Sequence, residues 1–292
     1  MKPRAFEYVR AKSLNDAFEA FARASGGCYL AGGQSLIPSL SLRLWAPELL
    51  IDISRIEELR GIGIVDGLLR IGALTRHSEM LTSPDIARYA PLLRLAAPHV
   101  AHPAIRNRGT IGGSLALADP VAEFPAVTLA LDAEFEIAGP NGMRRAKANG
   151  FFRGRYETGL EAGEILTAIL APLFGDRDRC AFDELTRRRG HSAIVGAAVQ
   201  GRFAGDRAET LRIAFLAVGL TPVRARNAEA VIVGQRLSQE AIANAQAALK
   251  LDLDPIEDVQ TSAPVRLHLA CVLLGRLLGN LGRQHQQWSA QA

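Results

Sequence analysis

Two glycine pairs in the first half of this chain constrain its fold and its chemistry more than any other feature. Ala31-Gly32-Gly33-Gln34-Ser35-Leu36 follows the short apolar run Cys28–Ala31, and Thr110-Ile111-Gly112-Gly113-Ser114 closes a loop that begins at His102-Pro103. A glycine pair lets the main chain turn through positive φ and leaves no Cβ in the path of a ligand. Successive peptide N–H groups can then converge on one anion, and Ser35, Thr110 and Ser114 add hydroxyl donors beside them. One such loop at a strand end is an ordinary tight turn. Two in one region, each flanked by hydroxyls, suggest a clamp on a diphosphate, with two ordinary turns as the alternative. The usual phosphate signatures are missing: there is no GxxxxGK[ST], and no GxGxxG stands between a strand and a helix. GxSxG and HExxH are missing too.

Hydropathy patterning gives the order of elements. Phe6–Val9 reads as a strand. Ser13 reads as an N-cap for a helix with Leu14, Ala17, Phe18, Phe21 and Ala22 on one face. Cys28–Ala31 and Leu49–Ile53 read as strands, and Ile56–Gly61 as a helical turn. Asp66-Gly67 between the apolar runs Gly63–Val65 and Leu68–Ile71 predicts a tight hairpin. Thr75 is expected to cap a helix over His77–Leu81, and Pro91–Ala97 is expected to be helical. Ala126–Ile137 should hold the end of a helix and then a strand, with a turn at Gly139–Gly142. Ile165–Leu170 is a further strand. A composition shift at Pro172–Asp178 predicts a boundary. Three strands follow, at Ala181–Leu185, Ala193–Phe203 and Leu211–Val218. Helices come next, near Asn227–Val233, Ser238–Leu249 and Ala263–Leu281. The fold class is α+β: mixed elements first, then strands followed by helices.

Composition excludes several function classes. Of 292 residues 48% are apolar and the formal charge is +4, so the chain has ample material for a core and lacks the charge excess of a nucleic-acid binder. Arg187-Arg188-Arg189 is the one dense basic run, and no aromatic residue is interleaved with it. A solvated basic turn and an anion-facing cluster both fit that run. No apolar stretch reaches the ~18–20 residues of a spanning helix, so no membrane span is expected. Cys28, Cys180 and Cys271 are odd in number and far apart, against a disulfide framework or a metal or iron–sulfur site held by this chain alone. No apolar signal region follows Met1-Lys-Pro-Arg. A cytoplasmic protein with no metal site of its own is expected.

The wording of the two loops resembles the paired signatures of the FAD-binding (medium) subunit of molybdenum hydroxylases, the carbon monoxide dehydrogenase, nicotinate dehydrogenase and xanthine dehydrogenase family. The first signature is Ala31–Leu36 and the second runs from Arg106 to Ser114. The resemblance continues through Leu42-Arg-Leu, Leu50-Ile-Asp-Ile, Ile71-Gly-Ala-Leu-Thr, Asp119-Pro120 and Pro125-Ala126. It extends to Phe151-Phe152-x-Gly-x-Tyr156-x-Thr158 and Phe182-x-x-Leu-x-x-Arg188. It covers nearly the whole chain in order.

The resemblance implies a vanillyl-alcohol-oxidase (PCMH)-type FAD-binding domain of two α/β subdomains, about 1–57 and 58–175. A C-terminal domain, 176–292, of antiparallel sheet with helices follows. It implies non-covalent FAD between the subdomains. Tyr29, Leu30, Ala31, Gly32, Gly33, Gln34, Ser35 and Leu36 would wrap the pyrophosphate from one side. Thr110, Ile111, Gly112, Gly113 and Ser114 would wrap it from the other. Val100 and Ala101 match positions near the flavin or adenosine, and Glu123 an acid on the adenine-ribose side. Ile169 and Arg187 match a backbone contact and a basic side chain near the isoalloxazine. Of the histidines, His77, His99, His102, His191, His268 and His285, none is expected to link the flavin covalently. Three positions depart from the family pattern: Ser114 for Asp or Asn, Arg187 for a frequent Lys, and His191-Ser192 near the flavin face.

The implied role is electron transfer. A small [2Fe–2S] subunit passes electrons to FAD here, and NAD, a quinone or another acceptor removes them. A large molybdopterin subunit oxidises the substrate, and the assembly is expected to be a dimer of heterotrimers. The molybdopterin cofactor and the clusters sit on the partners only. A stand-alone FAD oxidoreductase of this fold and a flavin-free scaffold subunit are the alternatives.

Overall fold

The computed structural model describes residues 1–188 and 190–289, the side chains of 284–289 excepted. Arg189 of the basic run, the His285 side chain and residues 290–292 therefore lie outside the described residues.

The N-terminal unit is a small parallel sheet. β1 (Glu7–Arg10), α1 (Leu14–Arg23), β2 (Gly27–Leu30), α2 (Leu36–Ser41) and β3 (Leu49–Asp52) follow one another, and β3 lies between β1 and β2, parallel to both. Parallel pairing needs a crossover on each return, and α1 and α2 supply them. Ser13 caps α1 as its position predicts, its Oγ accepting the Asp16 N–H at 3.1 Å. Ala17 and Ala20 of α1 pack on Ile51, Ile53, Ile56 and Leu59.

The second unit opens with the hairpin β4 (Ile62–Val65) and β5 (Leu68–Gly72). Asp66 and Gly67 both take positive φ, 51° and 76°, as a two-residue hairpin turn with the right twist requires. Short helices α3 (Glu79–Thr82), α4 (Pro84–Tyr89), α5 (Pro91–Ala96), α6 (Pro103–Arg106), α7 (Ile111–Leu117) and α8 (Glu123–Leu131) come next. β6 (Glu134–Gly139), β7 (Gly142–Lys147), the β8 (Phe152–Gly154) and β9 (Glu157–Thr158) pair, and β10 (Ile165–Pro172) complete the unit. The five-stranded antiparallel sheet has the order β4-β5-β10-β6-β7. Thr75 does not cap a helix. Its N–H bonds the Gly72 carbonyl, its own carbonyl takes the Ile111 N–H, and α3 begins only at Glu79. The tertiary contact wins over the local capping signal.

The third unit is the antiparallel meander β11 (Asp178–Leu185), β12 (Val195–Ala204), β13 (Arg207–Leu216) and β14 (Val223–Arg224), followed by α9 (Arg226–Ile232), α10 (Gln239–Ala248) and α11 (Ala263–Ser289). By length and composition alone α11 could cross a membrane, contrary to the expectation from apolar runs. Its Ala270, Leu273, Leu274, Leu277, Leu278 and Leu281 are buried in the core shared with β12 and β13. All residues of α8 from Phe124 to Leu131 are buried, as expected for a helix that is apolar on every side. α8 touches β10 on one side and β12 and β13 on the other, so one core joins the second and third units.

Candidate cofactor site between two glycine loops

The first loop leaves β2 and enters α2. Only Gly33 of its two glycines has positive φ, +71°. Its carbonyls fix its shape. The Gly32 oxygen accepts Gln34 Nε2 at 3.1 Å, the Gly33 oxygen the Ile37 N–H, and the Ser35 oxygen the Ser39 N–H and hydroxyl. Among the described residues no protein acceptor takes the N–H of Gly32, Gly33, Gln34, Ser35 or Leu36. Ser35 is exposed and its side chain makes no capping bond. Five consecutive amides therefore keep their donor capacity for something outside the protein.

The second loop differs. Gly112 and Gly113 are not in a turn but in the first turn of α7, capped by Thr110. The amides expected to face an anion are spent. Ile111 N–H goes to Thr75 O at 3.0 Å, Gly112 N–H to Ala73 O at 2.9 Å, Gly113 N–H to Thr110 Oγ1 at 3.2 Å and Ser114 N–H to Thr110 O at 3.0 Å. What this loop retains for a ligand is the hydroxyl hydrogens of Thr110 and Ser114. Gly112 serves close approach instead of turning, because a Cβ there would lie 2.5 Å from Ala73 Cβ.

The loops meet. A Cβ on Gly32 would lie 2.3 Å from the Arg108 carbonyl oxygen and 2.9 Å from Gly109 Cα. The free amides of the first loop thus begin at a backbone-to-backbone contact with the segment leading into the second. Tyr29 anchors this arrangement: its ring stacks on Phe21 at 5.3 Å and its hydroxyl donates to the Gly163 carbonyl at 2.9 Å. Leu30 reaches beneath Gly33, and Ala31 packs against the core of the N-terminal unit around Ile51 and Ile53.

Sequence reading missed His77. Its main-chain N–H bonds the Gly109 carbonyl at 3.0 Å, and its ring lies against Gly109 and edge-on to Phe124 at 5.0 Å. Burial holds its pKa down at about 4, so the ring is a neutral wedge under the loop. No local pattern marked it, because its partners come from α8 and the loop before α7.

The remaining candidates divide into two groups. Val100 is buried and Ala101 takes a positive φ of 42°. The Arg106 guanidinium holds the carbonyls of Pro98, Val100 and Ala101 at 3.3, 2.9 and 2.8 Å. Glu123 opens α8, within reach of the charge of Arg106. Burial, and then the charge of Glu184, push its carboxyl up to about 8. Ile169 and Arg187 come from other elements, β10 and the segment that follows β11. Ile169 is fully buried in β10, between Ile71 and Phe135, its main chain committed to the central ladder. Arg187 is exposed and donates to the Gln260 carbonyl at 2.5 Å.

Geometry of this kind suits a bound diphosphate, and the chain as a whole is similar to known proteins. Residues 4–174 match the model of the FAD binding domain in molybdopterin dehydrogenase, and residues 180–281 that of the CO dehydrogenase flavoprotein C-terminal domain. The carbon monoxide dehydrogenase medium chain of Hydrogenophaga pseudoflava is 38% identical over 279 residues, 95% of this chain and 97% of that protein. The 6-hydroxypseudooxynicotine dehydrogenase complex subunit alpha of Paenarthrobacter nicotinovorans is 39% identical over 280 residues, 95% of each chain. A solved structure of the Hydrogenophaga pseudoflava carbon monoxide dehydrogenase superposes with a TM-score of 0.94 at 39% identity, covering 98% of this chain and 99% of that one. Quinoline 2-oxidoreductase from Pseudomonas putida 86 superposes at 0.93 and 36% identity, with 98% and 99% covered. The fold is the PCMH-type FAD-binding domain followed by the family's C-terminal sheet domain, and the chain belongs to the family of FAD-binding medium subunits of molybdenum hydroxylases, which are oxidoreductases.

Proposed function

We propose that this chain is the FAD-carrying electron-transfer subunit of a multi-subunit molybdenum hydroxylase. It takes electrons from [2Fe–2S] clusters on a small partner subunit and passes them to NAD, a quinone or another acceptor. A large molybdopterin subunit oxidises the substrate. The assembly is a dimer of heterotrimers in the cytoplasm, with residues 1–175 as the FAD-binding domain and 176–292 as the C-terminal domain.

The observation that carries this reading is the run of five amides, Gly32 to Leu36, without an acceptor among the described residues. A pyrophosphate needs N–H donors more than cations, and this loop presents them where a Cβ would block the approach of the second loop. Thr110 and Ser114 add hydroxyls from the other side, and Tyr29 to Ala31 hold the first loop in place. Val100, Ala101 and Glu123 form the wall toward the flavin and adenosine. Ile169 and Arg187 complete the isoalloxazine end; Arg187 does so by leaving the Gln260 carbonyl. When bound, the flavin supplies the electron-transfer chemistry, and the chain supplies binding, orientation and electrostatics.

The test is purification of the chain with its partners. A yellow complex with one flavin per chain, whose flavin is bleached by the substrate of the large subunit, supports the reading. A complete complex without flavin by absorbance and mass spectrometry overturns it.

A further inference from the structure

Glycine on a partly exposed helix face weakens the helix relative to alanine, so its presence there calls for a reason. α11 has two such glycines one turn apart, Gly275 and Gly279. Gly275 has its reason inside the chain. A Cβ there would lie 2.5 Å from Gln246 Nε2, which donates to the Cys271 carbonyl where α10 meets α11. Gly279 has no such reason, because a Cβ there would meet only Arg283 Nη1, at 3.8 Å. The space above it belongs to an open groove of about 570 Å³, with α11 as its floor and Gln246 of α10 and Asp183 of β11 as its walls.

Two arginines flank this glycine in the groove. Arg276 and Arg283 are exposed and stand two turns apart, about 10.5 Å of helix rise. Among the described residues Arg283 donates to Asn280 Oδ1, and Arg276 has no hydrogen-bond or ion-pair partner. α11 carries no aspartate or glutamate. The one carboxylate in the groove is Asp183, whose Oδ1 accepts the Glu184 N–H at 2.9 Å. The floor is therefore cationic, and a guanidinium binds a carboxylate through paired N–H···O bonds. A second copy of α11 does not suit this face, because it would set arginine against arginine. A helix with two carboxylates seven residues apart does suit it. Its spacing equals that of Arg276 and Arg283, and the bare backbone at Gly279 lets the two axes come close.

We propose that the groove between α11 and β11 docks an acidic helix of a partner subunit, whose carboxylates pair with Arg276 and Arg283 across Gly279. The inference rests on the function proposed above, because that reading supplies the partner subunits. The mode is a helix laid in a groove, with the arginines fixing its register and the glycine setting its depth. Charge pairs on an open rim are screened by salt, so the contact weakens as ionic strength rises.

The experiment is co-expression of the full chain with its partner subunits, with the photo-cross-linker p-benzoylphenylalanine in place of Val272 at the edge of the groove. The same group in place of Asn280 serves if the first variant does not fold. Irradiation and mass spectrometry then identify what lies in the groove. The expected product joins α11 to an acidic helical segment of a partner subunit. Arg276→Glu with Arg283→Glu should abolish that product and weaken partner binding by at least about tenfold. Gly279→Leu should do the same with an unchanged or higher unfolding midpoint, because leucine has room within the chain and favours the helix. Arg276→Lys should keep most of the binding. A cross-link to a second copy of this chain, no cross-link to any protein, or wild-type partner binding by Gly279→Leu overturns the docking site. A yellow, fully assembled complex with any of these results overturns the docking site alone, whereas a complete complex without flavin overturns the proposed function.

Discussion

The two glycine loops look alike in sequence and behave oppositely in the structure. The first turns its carbonyls inward and keeps its amides free from Gly32 to Leu36. The second spends its amides from Ile111 to Ser114 on Ala73, Thr75 and Thr110. One loop is a donor array and the other is a brace. The brace fixes where the array sits, because Gly32 is in van der Waals contact with the Arg108-Gly109 backbone. Glycine is needed in both, for different reasons: φ of +71° at Gly33, and room for Ala73 against Gly112.

Substitutions can break this contrast in order of size. Gly32→Val pushes a side chain into the Arg108 carbonyl and parts the loops. FAD affinity should fall by at least about 100-fold, about 2.7 kcal/mol, by isothermal titration. Gly112→Val should act through folding instead, because its contacts are Ala73 backbone and Cβ in a buried position. A loss of about 1–3 kcal/mol in denaturant unfolding is expected. A Gly112→Val chain of unchanged stability would contradict the bracing role.

The pH dependence of stability separates Glu123 from His77. Glu123 has a folded pKa of about 8, above its unfolded value of 4.5, so the folded state binds more protons between them. Stability from this group is present below 4.5 and is lost as pH rises through about 8. His77 has a folded pKa of about 4, below 6.5. Its contribution is present above 6.5 and is lost as pH falls through about 4. Glu123→Gln should flatten the alkaline limb and leave the acid limb intact in urea midpoints measured across pH, by up to a few kcal/mol.

Smaller changes sharpen the comparison. Thr110→Val removes the α7 cap and a hydroxyl, for about 1 kcal/mol of stability and about tenfold in FAD affinity; Thr110→Ser should restore both. Ser35→Ala touches an exposed side chain that bonds nothing in the protein. It should leave stability within about 0.5 kcal/mol and weaken FAD only a few-fold.

Much of the fold was legible because its signals are local. The Ser13 cap, the Asp66-Gly67 hairpin and the apolar run of α8 each carry their meaning within a few residues. The edge strand β7, Gly-Met-Arg-Arg-Ala-Lys, was not legible, because it is largely exposed and shows no apolar alternation. At the site, the loop sequences gave the location but not the division of labour. Whether an amide is free depends on which carbonyl arrives from elsewhere, here Ala73 and Thr75 after β5. His77 was missed for the same reason: its significance comes from Gly109 and Phe124, neighbours far away in sequence.

Amide hydrogen exchange at the two loops, with FAD bound and with FAD removed, tests the account most directly. The amides of residues 32–36 should exchange fast in the flavin-free chain and become strongly protected when FAD binds. Those of 111–114 should be protected in both states. Residues 32–36 exchanging equally with and without FAD would contradict the central claim that this loop holds the cofactor by its backbone.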